Sequence, residues 1–343
     1  MSKTKINKNK NILYSILSFF TMVLIFYLIF RNSYEEIIEN IKTCSKSYLI
    51  VILALGIIFH VLESFVCLML VKRKVENFTF KQSFEVTFLG IFTNVTTLAL
   101  GTVPARTAYL HRRGLGVGEA IGITNMEYIF HKGSILIWSG MCLIINGRYI
   151  YAERPNLVPY TLLGFFISII IVIALILICT WNKFYNLIIK GIKFLEKKPK
   201  WQNRGEKIKL QVEAMHDEAR DLLKSPRTIL KAVVLNGVKL FSFYVVPFLC
   251  AKAIGVDALP LMQMMTLASL THVIASAIPN IAGMGPLEAA FILLFSYHME
   301  SGEAKSMLLL FRLATYFVPF IVSSVVASKL RIKLYTGEEI ESQ

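Results

Sequence analysis

Two long apolar runs without a charged residue constrain this chain more than any other feature of its sequence. Ile12 to Phe30 holds 19 residues and Pro159 to Trp181 holds 23, and neither run contains Asp, Glu, Lys or Arg. A helix rises 1.5 Å per residue, so about 20 apolar residues cross a hydrocarbon core of about 30 Å. Only 17% of all residues are charged, compared with about 25% in soluble domains. The sequence therefore predicts a polytopic membrane protein and argues against a soluble enzyme.

Six continuous helical spans fit the sequence and predict an all-α fold. Their bounds are 12–30, 48–71, 120–146, 159–181, 228–251 and 305–330. We interpret residues 1–343 as a single integral membrane domain. It divides into a first half, 1–181, a basic amphipathic cytoplasmic loop, 182–227, and a second half, 228–343.

Two further segments, 84–110 and 262–298, are interrupted by glycine and proline, which break helices. After each break, the remaining helix is too short to reach the far side of a bilayer. We interpret both segments as re-entrant helical hairpins that enter from opposite sides, as in an inverted repeat. Two unrelated broken helices within a bundle are the alternative. The predicted breaks are Gly101 and Pro104 in the first segment, and Pro279, Gly283, Gly285 and Pro286 in the second.

The distribution of positive charge supports this topology. With both hairpins returning to their side of entry, the cytoplasmic segments hold 26 of the 37 lysines and arginines, and the external segments hold 7. Cytoplasmic loops normally carry this excess. The count predicts a multi-pass protein of the cytoplasmic (cell) membrane with both termini in the cytoplasm.

The basic loop 182–227 has twelve basic and six acidic residues, and apolar residues recur in it at helical spacing. Such a loop attracts anionic phospholipid and is typical of a helix in the headgroup layer. Because the basic residues lie between apolar spans, the net charge of +15 does not predict nucleic acid binding. The sequence does not predict an oligomeric state.

Ionisable residues inside the predicted spans are few, and each costs at least about 2.5 kcal/mol in a bilayer. His60 and Glu63 are three positions apart, and Glu127 and His131 are four apart, so each pair shares a helix face. Such pairs could bind a metal or relay protons, but hydrogen bonding within the bundle explains them equally well. No metal motif is present, so we predict neither a metal nor a cofactor. The remaining intramembrane charges are Arg106, Lys132, Lys239, Glu288 and Arg312.

Each hairpin is predicted to contain a half-helix that begins near the middle of the membrane, at Thr102 to Pro104 and at Gly285 to Pro286. Free N–H groups at such a terminus bind anions, and arginine adds bidentate contacts to phosphate. A lipid phosphate is therefore the expected ligand. The alternative is that Arg312 only pairs with Glu288 and that Arg106 extends to the cytoplasmic surface. The candidate headgroup-binding residues are Arg106, Glu127, His131, Glu288 and Arg312.

The second half carries a recognisable signature. The stretch Ala277 to Ala290, with Pro279, Gly283, Gly285 and Glu288, is followed by Gly302-Glu303-Ala304 and Phe311-Arg312-Leu313. It closely resembles the signature of the flippase-like membrane domain family, which includes the membrane half of lysylphosphatidylglycerol synthases, the multiple peptide resistance factors. The first half agrees more loosely, at Asn94, Pro104-Ala105-Arg106, Gly118-Glu119-Ala120 and Glu127.

The resemblance implies translocation of a phosphate-bearing lipid across the cytoplasmic membrane. The substrate would be an aminoacylated phosphatidylglycerol, such as lysylphosphatidylglycerol, or a polyprenyl-phosphate carrier. The alternative is the membrane part of a phosphatidylglycerol lysyltransferase or another lipid-modifying transferase. Synthase members carry a soluble transferase domain, and we expect no room for one in 343 residues, so a separate transferase would be a partner. A third hypothesis is a lipid-binding protein that positions another enzyme.

Overall fold

The computed structural model describes residues 27, 31, 33–98, 100–153, 155, 158–196, 202–256, 259–278 and 283–336. Within these ranges every regular element is a helix. The predicted span 12–30 lies outside the described residues, apart from position 27, and so does Pro279. The helices are α1 (Tyr34–Lys42), α2 (Lys46–Val71), α3 (Phe80–Thr96), α4 (Thr102–Arg112), α5 (Val117–Glu153), α6 (Val158–Thr180), α7 (Asn182–Glu196), α8 (Gln202–Leu223), α9 (Pro226–Ala253), α10 (Leu261–Ser276), α11 (Pro286–Phe295), α12 (Ser301–Arg312), a π-helix (Leu313–Phe317) and α13 (Val318–Thr336).

Five of the described helical stretches are long and apolar enough to cross a membrane. They correspond to five of the six spans predicted from the sequence, and the last one joins α12, the π-helix and α13. The chain is therefore an all-helical, multi-pass membrane protein. The five stretches are Lys46–Val71, Val117–Arg148, Val158–Thr180, Pro226–Ala253 and Ser301–Leu330.

The first interruption lies slightly upstream of the predicted position. Helix α3 ends at Thr96, and α4 begins at Thr102 with Gly101 as its N-cap. Leu98 adopts a left-handed backbone with φ of 53°, and the Gly101 N–H donates to Thr97 Oγ1 at 2.6 Å. Pro104 is thus the third residue of α4, where its missing N–H costs no helical hydrogen bond. The helix is therefore interrupted between Thr96 and Thr102.

The second interruption separates α10 from α11. Gly285 is the N-cap of α11 and Pro286 its first residue, as the sequence predicts. Gly283 and Gly285 have φ of 82° and 103°, a conformation that glycine adopts at little cost. The Gly285 N–H donates to Glu288 Oε2 at 2.7 Å, which satisfies one free donor at this terminus. The re-entrant path of both hairpins through a bilayer stays a prediction.

The helices of the two halves pack in matching pairs around α2 and α9, which lie against each other. Helix α2 contacts α3 as α9 contacts α10, and α3 contacts α4 as α10 contacts α11. Helix α4 contacts α5 as α11 contacts α12, while α3 contacts α13 as α10 contacts α5. This repeated pattern is the packing expected of two structural repeats. It brings the two interruptions close together, with Val95 packed beside Met284.

Two peripheral helices complete the described fold. Helix α8 packs on α5, α6 and α7, and Arg73 joins it to the α2–α3 loop through Glu218 and Asp221, both at 2.7 Å. Helix α1, which is not among the helices predicted from the sequence, packs on α12. Lys305 Nζ donates to Ser33 Oγ at 2.9 Å beside it. The basic segment is therefore held against the bundle by α8, while α7 exposes Leu187 and Phe194.

Candidate functional site

A cavity of about 280 Å³ lies where the two interruptions meet. Val95 of α3 packs against Met284 in the second break and against Tyr316 of the π-helix. A Cβ at Gly283 would lie 3.3 Å from Tyr316 Cε2 and 3.5 Å from Asn94 Nδ2, so the absence of a side chain lets these elements approach. The cavity wall is mixed in polarity and includes Gly283 of the second break and Thr102, the first residue after the first break. It comprises Phe59, His60, Glu63, Thr87, Gly90, Ile91, Asn94, Val95, Thr102, Arg106, Gly283, Thr315, Tyr316 and Pro319.

Arg106 is the candidate headgroup residue that lines this cavity directly. It is buried, and its Nη2 pairs with Glu127 Oε2 of α5. It also lies 3.7 Å from the Cys67 sulfur. A Cβ at Gly90 would lie 3.1 Å from Arg106 Cδ, so Gly90 makes room for the arginine stem. The alternative interpretation, in which Arg106 extends to the cytoplasmic surface, does not agree with this buried and paired position.

Arg312 and Glu288 form a second buried ion pair, on the side of the second break. Arg312 Nη2 lies 2.5 Å from Glu288 Oε1 and donates to the carbonyl oxygen of Gly283 at 3.1 Å. Its guanidinium carbon lies 5.5 Å from the centre of the Tyr316 ring, which lines the cavity. Arg312 thus reaches the cavity wall through Gly283 and Tyr316. It also pairs with Glu288, as expected if the two residues form a structural ion pair.

Arg312 is also the last residue before the π-helix. Such π segments often occur at functional sites, because they shift the register of a helix and redirect its side chains. Here the π-helix contributes Thr315 and Tyr316 to the cavity. A Cβ at Gly56 of α2 would lie only 2.0 Å from the Ala314 carbonyl oxygen. The close approach of α2 therefore fixes the position of this segment.

His131 lies in a layer behind the cavity and does not line it. Its ring centre is 6.3 Å from that of Phe59 and 5.6 Å from that of His272, and its Nδ1 is buried without a hydrogen-bond partner. His272 in turn approaches the Tyr244 hydroxyl at 3.3 Å.

The five candidate residues thus lie at different distances from the cavity. Arg106 is part of the wall, and Glu127 and Arg312 contact wall residues. Glu288 is reached only through Arg312, and His131 lies behind Phe59.

Two wall residues, His60 and Glu63, did not appear among the predicted site residues. The sequence marked both as intramembrane ionisable groups, but which face of α2 points inward depends on how α3 and α9 pack against it. Lys239 adds a cation next to this wall, with Nζ 5.1 Å from the centre of the Phe59 ring. It is almost fully buried at the fourteenth position of the 28-residue α9.

Metal binding has no support in the described ranges, where no group of three or more His, Cys, Asp or Glu side chains comes together. The five cysteines are free thiols, and four of them are buried. The groups available for binding chemistry in the cavity are therefore a guanidinium, an imidazole, a carboxylate, hydroxyls and an amide. Such a set suits a polar ligand with a phosphate group.

Fold and cavity together define a multi-pass helical membrane protein with a polar site between two interrupted helix pairs. Residues 12–323 match the family model described as the lysylphosphatidylglycerol synthase TM region. The chain therefore belongs to this family, as the signature around Glu288 and Arg312 predicts, and a membrane function related to lipids follows. A comparison with curated proteins finds no match.

Proposed function

We propose that this protein is a lipid translocase that moves a phosphate-bearing lipid across the cytoplasmic membrane. The observation that carries the proposal is the cavity between the two breaks, with Arg106 in its wall. A guanidinium is the side chain best suited to a phosphate group, because it donates two parallel hydrogen bonds. The start of α4 adds to this, since Thr102 lies in the wall and helix N-termini favour anions.

The position of the charges supports transport more than catalysis. Groups in the middle of long apolar spans are costly, and they usually serve a path for ions or polar substrates. The headgroup would pass the cavity while the acyl chains stay in the surrounding lipid. We propose either an aminoacylated phosphatidylglycerol, such as lysylphosphatidylglycerol, or a polyprenyl phosphate as the substrate. A cytoplasmic location of both termini is part of the same proposal.

Leaflet transfer in vesicles tests this function. Purified protein is reconstituted, and fluorescent phosphatidylglycerol, lysylphosphatidylglycerol and a polyprenyl phosphate are offered in separate experiments. We expect transfer of at least one of them, and its loss in Arg106→Gln. Arg106→Lys keeps the charge without the planar fork and should retain part of the rate. Arg113→Gln is the matched control, since Arg113 also pairs with a carboxylate, that of Glu85 at 3.7 Å, but does not line the cavity.

One result would assign Arg106 to structure alone. If the double variant Arg106→Gln with Glu127→Gln transfers lipid at the wild-type rate, then neither charge takes part in transport.

The family description favours one second candidate, the membrane part of a lipid-modifying synthase. The two functions differ in what they change in cells. A translocase changes which leaflet contains the lipid, whereas a transferase part changes the total lipid composition. Leaflet-resolved lipid analysis of deletion and wild-type cells separates them.

A further inference from the structure

The ring of Phe59 separates the cavity from a second group of polar side chains. Phe59 is the fourteenth residue of the 26-residue α2, so it lies near the middle of its span, and it lines the cavity. Its ring centre is 5.0 Å from that of His60, which also lines the cavity. Towards α5 and α9, the same ring centre is 6.3 Å from that of His131 and 5.1 Å from Lys239 Nζ. Neither His131 nor Lys239 belongs to the cavity wall, so the ring stands between two polar regions.

The polar side chains on the far side of this ring form a layer of their own. The His272 ring centre lies 5.6 Å from that of His131, whose Nδ1 is buried without a hydrogen-bond partner among the described residues. His272 interacts electrostatically with Lys132 and Lys239, and also with Arg312 beside the cavity. We call this group the rear layer, and it consists of His131, Lys132, Lys239 and His272.

The two lysines of the rear layer lie deep in the membrane without a carboxylate in contact. Lys239 is the fourteenth residue of the 28-residue α9, and Lys132 is the sixteenth of the 32 residues of Val117–Arg148. Among the described residues, neither side-chain nitrogen has an ion pair within 4 Å, and each faces an aromatic ring instead. Glu63 and Glu127 attract Lys239, but from beyond that distance. Cations in such positions are costly and usually serve a site.

The arginines next to the cavity differ from these lysines. Arg106 pairs with Glu127 and Arg312 with Glu288, so each arginine already contacts an anion. The lysines have room for an anion from a ligand. Phosphate is the anionic group that both proposed substrates contain, and lysine binds phosphate as a point charge. The rear layer thus offers unpaired cations to a phosphate, one ring away from the cavity wall.

We propose that Phe59 is the gate of the transport path and that the rear layer is a second phosphate-binding site behind it. A phenylalanine ring can leave its position by rotation between side-chain rotamers, without movement of its helix. The phosphate of the headgroup passes from Arg106 to Lys239 while the ring is turned aside, and the returning ring separates the two sites again. The inference rests on the proposed function and adds to it the position of the barrier.

Access of water to the rear layer tests the gate without lipid transfer. The reporter is His131→Cys in the full-length protein, purified in detergent and treated with aminoethyl methanethiosulfonate, a small water-soluble thiol reagent. The protein without His131→Cys gives the background from the native cysteines. We expect slow labelling while Phe59 is present. In Phe59→Ala the labelling rate should rise at least about tenfold, because water fills a polar cavity that is large enough to hold it.

Phe295→Ala is the matched control for the loss of a buried ring. Phe295 of α11 is fully buried and stacks on Phe291 at 4.1 Å, but it does not line the cavity. Its removal should leave the labelling of His131→Cys slow. Phe59→Leu opens a smaller gap and should give an intermediate rate, so the test does not depend on the folding of Phe59→Ala. Labelling that is equally fast, or equally slow, with and without the Phe59 ring overturns the gate.

Lipid transfer in vesicles then separates a gate from a packing residue by the sign of the effect. Removing a gate lowers a barrier, so Phe59→Ala should transfer lysylphosphatidylglycerol or polyprenyl phosphate faster than the wild type. Phe59→Trp, with its larger ring, should transfer the same lipid more slowly. If Phe59 only packs the core, Phe59→Ala should be slower, because the void left by the ring destabilises the bundle. Slower transfer in Phe59→Ala therefore overturns the gate.

Lys239→Gln tests the second phosphate site. It removes the cation and should lose most of the transfer, whereas Lys239→Arg keeps a cation and should retain part of it. Transfer at the wild-type rate in Lys239→Gln overturns the second site.

Failure of the gate and failure of the proposed function give different results. Lipid transfer by the wild type, together with labelling of His131→Cys that does not depend on Phe59, removes the gate and leaves the translocase intact. Absence of transfer of either lipid by the wild type overturns the proposed function, and the phosphate path through Phe59 with it.

Discussion

Arg106 and Glu127 form the same buried contact as Glu288 and Arg312, with the two charges exchanged. In the first half the arginine follows the break and the carboxylate is on the next helix, 21 positions later. In the second half the carboxylate follows the break at Gly285, and the arginine ends α12. Each half thus holds its short helix to the following helix by one ion pair beside the cavity.

The second pair separates a structural role from a role in transport. Glu288→Ala or Arg312→Ala alone leaves one buried charge without its partner, which should cost about 3–5 kcal/mol of stability. The double variant removes both charges and should recover most of that stability. Because Arg312 approaches the wall at Gly283, we expect the double variant to remain inactive. Melting temperature and leaflet transfer, measured on the same preparations, check this.

The partly exposed pair Lys209–Glu213 of α8 provides the control for these variants. It has the same charges at 3.8 Å but is solvated, so its removal should change stability by less than about 1 kcal/mol. A Glu288 and Arg312 double variant that transfers lipid at the wild-type rate would assign the pair to structure alone.

Much of the fold follows from the sequence, because uninterrupted apolar runs define most spans within a few residues. Helix α1 was missed since its pattern, Tyr34 to Lys42, is short and rich in glutamate and resembles a polar loop. The composition of the cavity wall could not be predicted from the sequence. The sequence marks His60, Glu63 and Lys239 as costly intramembrane charges, but only the packing of α2 against α9 shows that they share one wall. Likewise, the partner of Arg106 depends on how α4 lies on α5.

Because α2 and the π-helix are in close contact at Gly56, we expect a single added methyl group there to lower the stability of the protein. In Gly56→Ala the new Cβ would overlap the Ala314 carbonyl oxygen, and backbone cannot rotate away as a side chain can. We expect a loss of about 1–3 kcal/mol, the usual cost of overpacking, together with slower lipid transfer because Arg312 and Tyr316 move with the π-helix. Thermal unfolding in detergent and the vesicle assay measure the two effects.

Gly133→Ala is the matched substitution. Gly133 lies within α5, and a Cβ there would meet nothing within 4 Å, so alanine should be neutral or stabilise by up to about 1 kcal/mol. Equal melting temperatures for the two variants would contradict the proposed close contact.

We expect the stability of the contact between α8 and the α2–α3 loop to depend on pH. A hydrogen bond from Lys74 is the main reason that the pKa of Asp221 is lowered from 3.8, and the same bond raises the pKa of Lys74 above 10.5. The Asp221 contribution to stability is therefore present above pH 3.8 and is lost as the pH falls through the lower folded value. The Lys74 contribution is present below pH 10.5 and is lost as the pH rises through the higher folded value.

Glu218 behaves differently because it is nearly fully buried, at 2% exposure of its side chain. Burial is the largest effect on this carboxyl and raises its pKa, although Arg73 and Lys74 oppose the rise. The Glu218 contribution to stability is therefore present below pH 4.5 and is lost as the pH rises through its raised folded value. Above that value and up to about pH 9, we expect α8 to resist protease to the same degree. Arg73→Ala leaves Glu218 without its closest cation and should make α8 cleavable throughout that range. Unchanged protection in Arg73→Ala would show that apolar contacts alone hold α8.

The final prediction concerns the orientation of the two hairpins, on which the inverted-repeat interpretation depends. Single cysteines at His111, in the last turn of α4, and at Glu300, after α11, occupy exposed positions near the far ends of the two half-helices. Because positive charge is concentrated in the segments assigned to the cytoplasm, His111→Cys should react with a membrane-impermeant thiol reagent only from the cytoplasmic side, and Glu300→Cys only from outside. Lys190→Cys of the exposed face of α7 should match His111→Cys. Cys44→Ser provides the background, since the other native thiols are buried. Labelling of His111→Cys from outside would make α3 and α4 a complete crossing, and the two breaks would then no longer approach the cavity from opposite sides.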